Sequence, residues 1–264
     1  MKIQFVKMHG CGNDFVLVDG QGFPPEAPWN QWAVRLLDRR FGVGADQLLV
    51  LLPSKSADAR MRIFERDGAE SEMCGNGIRC AARFLRERGN DASSISFETV
   101  GGVKTVSVES NERIRVDMGK PGFDPQWEKQ VEVDGKKLLL HVLSMGNPHA
   151  VIFVDSIEEL SQTTKLGPLI ERHALFPKRT NVEFVFVSDE SNLAVGIWER
   201  GAGETFACGT GASASGVASL KMGKVKSPVA VHFRGGTLEI AWEPGGPVFM
   251  TGPASRVFKG EVEV

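Results

Sequence analysis

The chain has 264 residues, of which 42% are hydrophobic and 24% charged, so it can bury the core of one large domain or two modest ones. A formal net charge of −2, with acids and bases interspersed, argues against nucleic acid as a partner. The first residues contain no signal-peptide core, and the longest aliphatic run, Leu48 to Leu52, is too short for a bilayer. We therefore predict a cytoplasmic protein with no membrane partner, whose four cysteines are reduced thiols without metal-ligand spacing.

Short β-type runs dominate the chain, and two of the helices are predicted to follow Cys74 and Cys208. The predicted strands are Ile3 to Lys7, Phe15 to Asp19, Leu48 to Leu52, Met61 to Phe64, Val103 to Val108, Ile114 to Met118, Lys137 to Leu143, Ala150 to Val154, Val182 to Val187, Leu193 to Trp198, Thr237 to Trp242 and Val257 to Val264. The other predicted helices are Gln31 to Arg39 and Pro168 to Ala174. Gly89 and Gly223 are predicted to end the two post-cysteine helices, and Asp134-Gly135 to form a hairpin turn.

Cys74 and Cys208 each open a Cys-Gly-X-Gly tetrapeptide, and 134 positions separate them. The same offset relates further residues of like chemistry, and the fifteen-residue stretches that end at Gly77 and Gly211 share seven identities without a gap. Related pairs are Asn13 with Asn147, Gln47 with Asn181, Glu65 with Glu199 and Arg66 with Arg200. One long period without a third copy predicts two similar domains facing each other across a cleft, rather than a solenoid.

The segment from Gly119 to Pro125, with Pro121 and Gly122, is the best candidate for the linker between the copies. We predict an N-terminal domain over residues 1–118, which carries Cys74, and a C-terminal domain over residues 119–254, which carries Cys208. The last strand, at about residues 255–264, can pair back onto the N-terminal domain, although the sequence alone does not decide this.

A cysteine at a helix start lies beside free backbone N–H groups, which bind an anion, and in the field of a helix dipole that stabilises a thiolate. Two thiolates in one pocket repel each other, so the pair favours one thiolate and one thiol. Such a pair can remove an α-proton from one face of a carbon and return a proton to the other. The amides of Gly75, Asn76, Gly209 and Thr210 would hold the substrate carboxylate, and no metal or cofactor is needed.

The remaining polar candidates are individually weak, because asparagine at a strand edge usually only caps or turns the chain. At matched repeat positions they can line the cleft: Asn13, Gln47, Asn147 and Asn181. Arg200 can grip a second substrate carboxylate or form a surface ion pair, and His149 can tune a thiol or be an ordinary loop histidine. We predict that Cys80 is a core residue and that Cys11 is at most a neighbour of the pocket.

At these residues the chain resembles the diaminopimelate epimerases, which interconvert LL- and meso-diaminopimelate without a cofactor. The resemblance covers the whole chain and rests on six ordered motifs, which are Met8 to Phe15, Arg40 to Gln47, Glu72 to Gly77, Gly146 to His149, Arg179 to Glu183 and Glu199 to Thr205. It implies two pseudo-symmetric α/β domains, each a mixed, largely antiparallel sheet wrapped round a central helix. A homodimer is common among such enzymes.

The resemblance also implies the roles of individual residues. It makes Cys74 and Cys208 the acid/base pair and His149 and Glu199 the residues that tune the thiols. Around the substrate it places Asn13, Gln47, Gly75, Asn76, Asn147, Asn181, Glu199, Arg200, Gly209 and Thr210. The chain departs from the family at Glu65, where an asparagine usually contacts the distal carboxylate. Glu65 must therefore turn away or pair with a cation such as Arg62 or Arg66.

The residues themselves leave three alternative functions open. One is a related thiol-pair racemase of another amino acid, although a proline-racemase-like enzyme would not need the grip of Arg200. Another is an isomerase of the same fold that uses a carboxylate, which the two intact cysteines argue against. The third is a symmetric amino-acid-binding or redox-sensing protein whose two thiols form a reversible disulfide.

Overall fold

The computed structural model describes residues 1–24, 26–109 and 113–264. The chain divides into two compact units: the first unit is Met1–Val116 with Gly252–Val264, and the second unit is Asp117–Thr251. The sequence predicts changes of domain after residues 118 and 254, and the two units change slightly earlier in the chain.

The first unit contains two helices, nine strands and the last residue of a tenth strand among its described residues. The strands are β1 (Lys2–Gly10), β2 (Asn13–Asp19), β3 (Gln47–Leu52), β4 (Ala59–Glu65), β5 (Glu70–Ser71), β6 (Ser94–Thr99), β7 (Gly102–Val108), β8 (Ile114–Asp117, whose last residue lies beyond the unit) and β18 (Ser255–Glu263), together with the end of β17 (Phe249–Gly252). The helices are α1 (Trp29–Leu36) and α2 (Gly75–Glu87).

The second unit contains the remaining strands, two α-helices and a 3₁₀ turn at Ile157–Ser161. Its strands are β9 (Gly122–Val133), β10 (Lys136–Ser144), β11 (Pro148–Val154), β12 (Asn181–Asp189), β13 (Asn192–Glu199), β14 (Gly203–Glu204), β15 (Val229–Phe233), β16 (Gly236–Ala241) and most of β17. Its helices are α3 (Gln162–Glu171) and α4 (Gly209–Lys221).

The two units have the same strand pairing. In the first unit the order is β18–β1–β2–β3–β4–β6–β7–β8, and only β2–β3 and β4–β6 are parallel. In the second unit the order is β9–β10–β11–β12–β13–β15–β16–β17, and only β11–β12 and β13–β15 are parallel. A helix lies in the connection between the strands of each parallel pair, as a parallel crossover requires. The last strand of the chain, β18, therefore takes the place in the first unit that β9 takes in the second.

A buried helix forms the centre of each unit. Helix α2 packs against β1, β2, β3 and β7, and helix α4 packs against six strands of its unit, namely β10, β11, β12, β13, β15 and β16. Helix α4 is rich in Ala, Ser and Gly, and ten of its thirteen residues are buried, because small side chains allow close approach on every side. The α/β architecture predicted from the sequence, with a mixed sheet around a central helix, is confirmed.

Two helix ends and one hairpin turn have the backbone conformations predicted from the sequence. Gly89 and Gly223 follow α2 and α4 with φ of 95° and 66°, the left-handed conformation that commonly ends helices. Asp134 and Gly135 both have positive φ and join β9 to β10, as expected of a two-residue hairpin turn.

Two predictions from the sequence are wrong. The proposed linker does not run to Pro125, because β9 begins at Gly122 and pairs with β10; its proline is tolerated since β9 is the outer strand of this unit's pairing order. The helix placed at Pro168 to Ala174 begins earlier, at Gln162, and contains Pro168 in its interior. Strands β5, β6, β9, β14, β15 and β17 are absent from the prediction. Within the described ranges, no helix is long and apolar enough to cross a bilayer.

Candidate active site

Cys74 and Cys208 are the N-cap residues of the two central helices. Each has an extended backbone, with φ and ψ of −136° and 114° at Cys74 and −131° and 126° at Cys208. Each Sγ accepts a hydrogen bond at 3.4 Å from the backbone N–H three residues later, at Gly77 and Gly211. Both helices have 13 residues and start at the same point of the 134-residue repeat. The two thiols therefore share one backbone setting.

The helix starts provide backbone donors beside each sulfur. The first N–H groups of a helix have no partner inside it, and the dipole adds partial positive charge there. In the first unit these are the amides of Gly75 and Asn76, and in the second those of Gly209 and Thr210. Both starts are thus suited to bind a carboxylate and to stabilise an anion.

The first thiol site consists of Cys74, Asn13 and Asn76. The Sγ of Cys74 lies 3.8 Å from Oδ1 of Asn13, and Nδ2 of Asn76 donates to the same oxygen at 3.2 Å. Nδ2 of Asn13 donates to Asp46 at 2.9 Å, which fixes the orientation of the amide. The structure therefore brings together three residues predicted from the sequence, and adds Asp46 as the group that orients Asn13.

Gln47 and Glu65 form a separate cluster at the strand ends of the first unit. Nε2 of Gln47 donates to Oε1 of Glu65 at 2.6 Å, and the hydroxyl of Ser71 donates to the same oxygen. Arg62, one of the cations considered as a partner of Glu65, pairs with Glu70 at 2.7 Å instead. Neutral donors therefore hold the carboxylate at the position where the resemblance implies an asparagine.

The second thiol site consists of Cys208, Thr210, Asn147 and His149, which form a chain of contacts. Oγ1 of Thr210 lies 3.4 Å from Sγ of Cys208 and accepts from Nδ2 of Asn147 at 3.3 Å. Oδ1 of Asn147 lies 3.0 Å from Nε2 of His149. The link between His149 and the thiol is therefore indirect, through Asn147 and Thr210.

Beyond His149 lies a carboxylate that the sequence analysis did not single out. Oε1 of Glu183 is 2.6 Å from Nδ1 of His149, and both side chains are fully buried. Burial raises the pKa of Glu183, the charge and hydrogen bond of His149 oppose this, and the charge of Glu199 adds to it. One signal was present in the sequence: Glu183 is the only charged residue in the run Val182 to Val187 of strand β12.

Cys208 and Glu199 interact electrostatically. Burial and the negative charge of Glu199 raise the pKa of the Cys208 thiol well above its ordinary value, whereas the hydroxyl of Thr210 and the amide of Gly211 act in the opposite direction. Oε1 of Glu199 accepts from Thr205 at 2.5 Å, as Glu65 accepts from Ser71 at the matching repeat position. Glu199 is thus placed to favour the protonated form of Cys208.

Arg200 lies on a turn that two side chains hold. Its backbone N–H donates to Oδ1 of Asn181 at 2.9 Å, and the next N–H, of Gly201, donates to Glu171 at 3.0 Å. Glu171 also accepts from the indole of Trp198 at 2.8 Å. The guanidinium of Arg200 is exposed and donates to the carbonyl of Lys178 at 3.4 Å. Asn181 therefore supports the turn that carries Arg200, and Glu171 is a second support absent from the sequence-based candidates.

The other two cysteines lie inside the first unit. Cys80 is fully buried in α2, and burial raises its pKa, as expected of the core residue predicted from the sequence. Cys11 is 2% exposed and lies 4.0 Å from the buried guanidinium of Arg79, which also donates to the carbonyl of Gly75 at 3.2 Å. Cys11 is therefore linked through Arg79 to the start of the helix that Cys74 caps.

The fold is shared with solved structures of another class of protein. A phenazine biosynthesis protein of the PhzF family from Bacillus anthracis matches with a TM-score of 0.77 and 20% sequence identity, over 100% of both chains. At this identity the likeness concerns the fold alone.

The sequence comparison defines the family. The family model described as diaminopimelate epimerase matches residues 5–123 and 141–257. A diaminopimelate epimerase of Carboxydothermus hydrogenoformans is 49% identical over 98% of this chain and 99% of its own length, and one of Desulfitobacterium hafniense is 46% identical over 98% and 97%. The chain belongs to the diaminopimelate epimerase family.

Proposed function

We propose that this chain epimerises LL-diaminopimelate to meso-diaminopimelate, with Cys74 and Cys208 as the acid/base pair. The observation that carries the proposal is the pair of N-cap thiols at matched positions of the repeat, each beside open helix amides. Membership of a family whose curated relatives are diaminopimelate epimerases supports the substrate.

The reaction requires two proton transfers at one carbon. The thiolate of one cysteine removes the α-proton, and the thiol of the other delivers a proton to the opposite face, so the configuration inverts and the two sulfurs exchange protonation states. Amides of Gly75, Asn76, Gly209 and Thr210 stabilise the charge that spreads into the carboxylate as the proton leaves. The two thiols supply both proton transfers.

Other side chains would recognise the rest of the substrate. Arg200 suits the distal carboxylate because guanidinium binds carboxylate through two parallel hydrogen bonds, and Asn147 and Asn181 add amide groups. In the first unit, Asn13 and Gln47 occupy the repeat positions that match Asn147 and Asn181. Glu65 presents a carboxylate where the family usually presents an amide, so a positively charged distal amino group is the part of the substrate that it would accept.

The test is epimerisation by the reduced protein without added pyridoxal phosphate. LL-diaminopimelate should be converted to the meso form, measured by chiral chromatography, whereas proline and glutamate should not be inverted. A Cys80→Ala variant is the matched control, because that thiol is buried in the core and should leave the rate unchanged within about twofold. Inversion of another amino acid in preference to diaminopimelate would contradict the proposed substrate.

We also propose that the two compact units are the two functional domains, and that the protein is a cytoplasmic homodimer. The support is the shared strand order of the units and the family membership. Light scattering of the purified protein measures its mass and thereby tests the dimer.

A further inference from the structure

Glu183 and His149 form a buried acid–imidazole pair below the start of helix α4. Their contact is 2.6 Å, and both side chains are inaccessible to solvent. The second oxygen of Glu183, Oε2, has no hydrogen-bond partner among the described residues. A buried pair with a net negative charge is unfavourable, so burial favours the state in which the pair holds one additional proton and is neutral overall.

The contacts of His149 agree with this additional proton. Oδ1 of Asn147 accepts at Nε2, so Nε2 carries a hydrogen, and Nδ1 faces Glu183. Either Nδ1 also carries a hydrogen beside a carboxylate, or it accepts from a protonated Glu183. In both cases the pair carries one proton more than a carboxylate beside a neutral imidazole.

The proton on this pair sets the direction of the hydrogen bonds that lead to Cys208. With Nε2 donating to Asn147, Nδ2 of Asn147 donates to Oγ1 of Thr210, and the hydroxyl hydrogen of Thr210 is available to Sγ of Cys208. If the pair lost its proton and Nε2 became an acceptor, the amide would have to reverse. Thr210 would then donate to Asn147 and no longer to sulfur.

The first unit has nothing comparable at the matching positions. The 134-residue offset relates His149 to Phe15 and Glu183 to Leu49, both apolar and fully buried. The environment is otherwise alike: a Cβ added at Gly77 would meet Leu49 and Phe15 at 3.2 and 3.4 Å, and one added at Gly211 would meet Glu183 at 3.1 Å. The buried acid–imidazole pair is thus a feature of one copy on a shared scaffold.

We propose that Glu183 is a positioning residue for Cys208: with His149 it holds a proton that directs the chain through Asn147 and Thr210 toward the sulfur, and so stabilises the thiolate when Cys208 is the base. The role rests on the proposed function. The charged and titratable groups that face Glu183 are His149 on β11 and Glu199 on β13, and Glu199 in turn acts on Cys208 at the start of α4. Glu199 favours the protonated thiol of Cys208, and the chain of hydrogen bonds from Glu183 acts in the opposite direction.

The test measures the alkylation of Cys208 by iodoacetamide as a function of pH, with each cysteine quantified by peptide mass spectrometry. The double variant His149→Phe, Glu183→Leu copies the apolar pair of the first unit, which packs in the same setting. We expect its Cys208 midpoint to rise by about one pH unit, which is about tenfold in alkylation rate below the midpoint. Glu183→Gln keeps a hydrogen-bond donor at Nδ1, so its midpoint should stay near that of the parent. Cys74 in the same samples is the internal control.

A second pair of variants applies if the double variant does not fold. Thr210→Val breaks the chain at its last link and should raise the Cys208 midpoint, whereas Thr210→Ser keeps the hydroxyl and should not. An unchanged Cys208 midpoint in the folded double variant, or equal shifts for Thr210→Val and Thr210→Ser, would overturn the role of Glu183. Absence of epimerisation by the parent protein is a separate result that concerns the proposed function only, because alkylation needs no substrate.

Discussion

The two thiol sites have the same backbone and different electrostatics. In both, a cysteine caps a 13-residue helix and accepts from the third following amide. Near the helix starts, the residues at matched positions are Phe15 and Leu49 in the first unit and His149 and Glu183 in the second. The duplicated fold thus provides two thiols in equivalent backbone settings, and a few buried side chains distinguish them.

This difference matters because inversion needs one thiolate and one thiol rather than two equal groups. Cys208 lies between Glu199, which favours the protonated form, and a hydrogen-bond chain that favours the thiolate. Opposing influences of this kind keep a group able to act as base in one direction and as acid in the other. Four sets of substitutions test the comparison, and the set with the largest expected effect, removal of a thiol, comes first.

Removing either thiol should abolish inversion. Cys74→Ala and Cys208→Ala each eliminate one of the two proton transfers, and general acid–base groups contribute about 10²- to 10⁴-fold to rate. We expect a loss of at least about 10³-fold in the epimerisation rate for either variant, measured by chiral chromatography. Equal activity of one variant and the parent would show that the sites are not a pair.

Removing the charge of Glu199 should make Cys208 more acidic. Glu199→Gln deletes the carboxylate that raises the pKa of Cys208, so we expect the alkylation midpoint of Cys208 to fall by about one pH unit. Glu190→Gln is the control, since Glu190 is an exposed carboxylate of the same unit that pairs with Lys226. A Cys208 midpoint that rises or stays constant in Glu199→Gln would exclude this electrostatic role.

The two helix-start glycines should differ in their tolerance of a methyl group. In Gly211→Ala the new Cβ would lie 2.9 Å from Ile197 and 3.1 Å from Glu183, whereas in Gly77→Ala no contact is below 3.2 Å. Alanine gains up to about 1 kcal/mol of helix propensity at both, and overpacking costs about 1–3 kcal/mol. We expect Gly211→Ala to be less stable than Gly77→Ala by about 1 kcal/mol in urea unfolding; the reverse order would contradict the packing argument.

Asp14 should contribute to the stability of the first unit in a way that acid removes. Burial raises the pKa of Asp14, but Arg39 and Lys7, each at 2.7 Å, outweigh it and hold the pKa at about 2. The pKa in the unfolded chain is about 3.9, so the stabilisation is complete above that pH and is lost as the pH falls toward about 2. Asp14→Asn should reduce the unfolding free energy at pH 6 by about 1–2 kcal/mol and by less at pH 3, measured in urea. The matching position of the second unit is Pro148.

Much of this architecture follows from the sequence because the repeat offset is constant. Helices α2 and α4 begin and end 134 positions apart, as do the starts of β1 and β10. Strand β9 was not predicted, because its first residues are exposed and include Pro125. These residues form a strand only through their pairing with β10. Such long-range pairing is not readable from local periodicity.

The candidate site was predictable only in part. The cysteines, the helix amides and the asparagines stand in motifs, and the structure places Asn13 beside Cys74, and Asn147 in the chain of contacts that leads to Cys208. Glu183 ends the motif Arg179 to Glu183, whereas Glu171 stands in none, and the significance of both arises from burial against partners far away in the sequence. Glu65 also required the structure, which shows neutral donors rather than a cation at its carboxylate.

The central claim is that two different thiols perform the two proton transfers. The most direct measurement is the epimerisation of LL-diaminopimelate in deuterium oxide, with the α-hydrogens of substrate and product followed by NMR at early times. We predict that the meso product carries solvent deuterium at the inverted carbon, while unconverted substrate retains its hydrogen. A product that keeps the original hydrogen of the substrate at that carbon would show a single base and contradict the account.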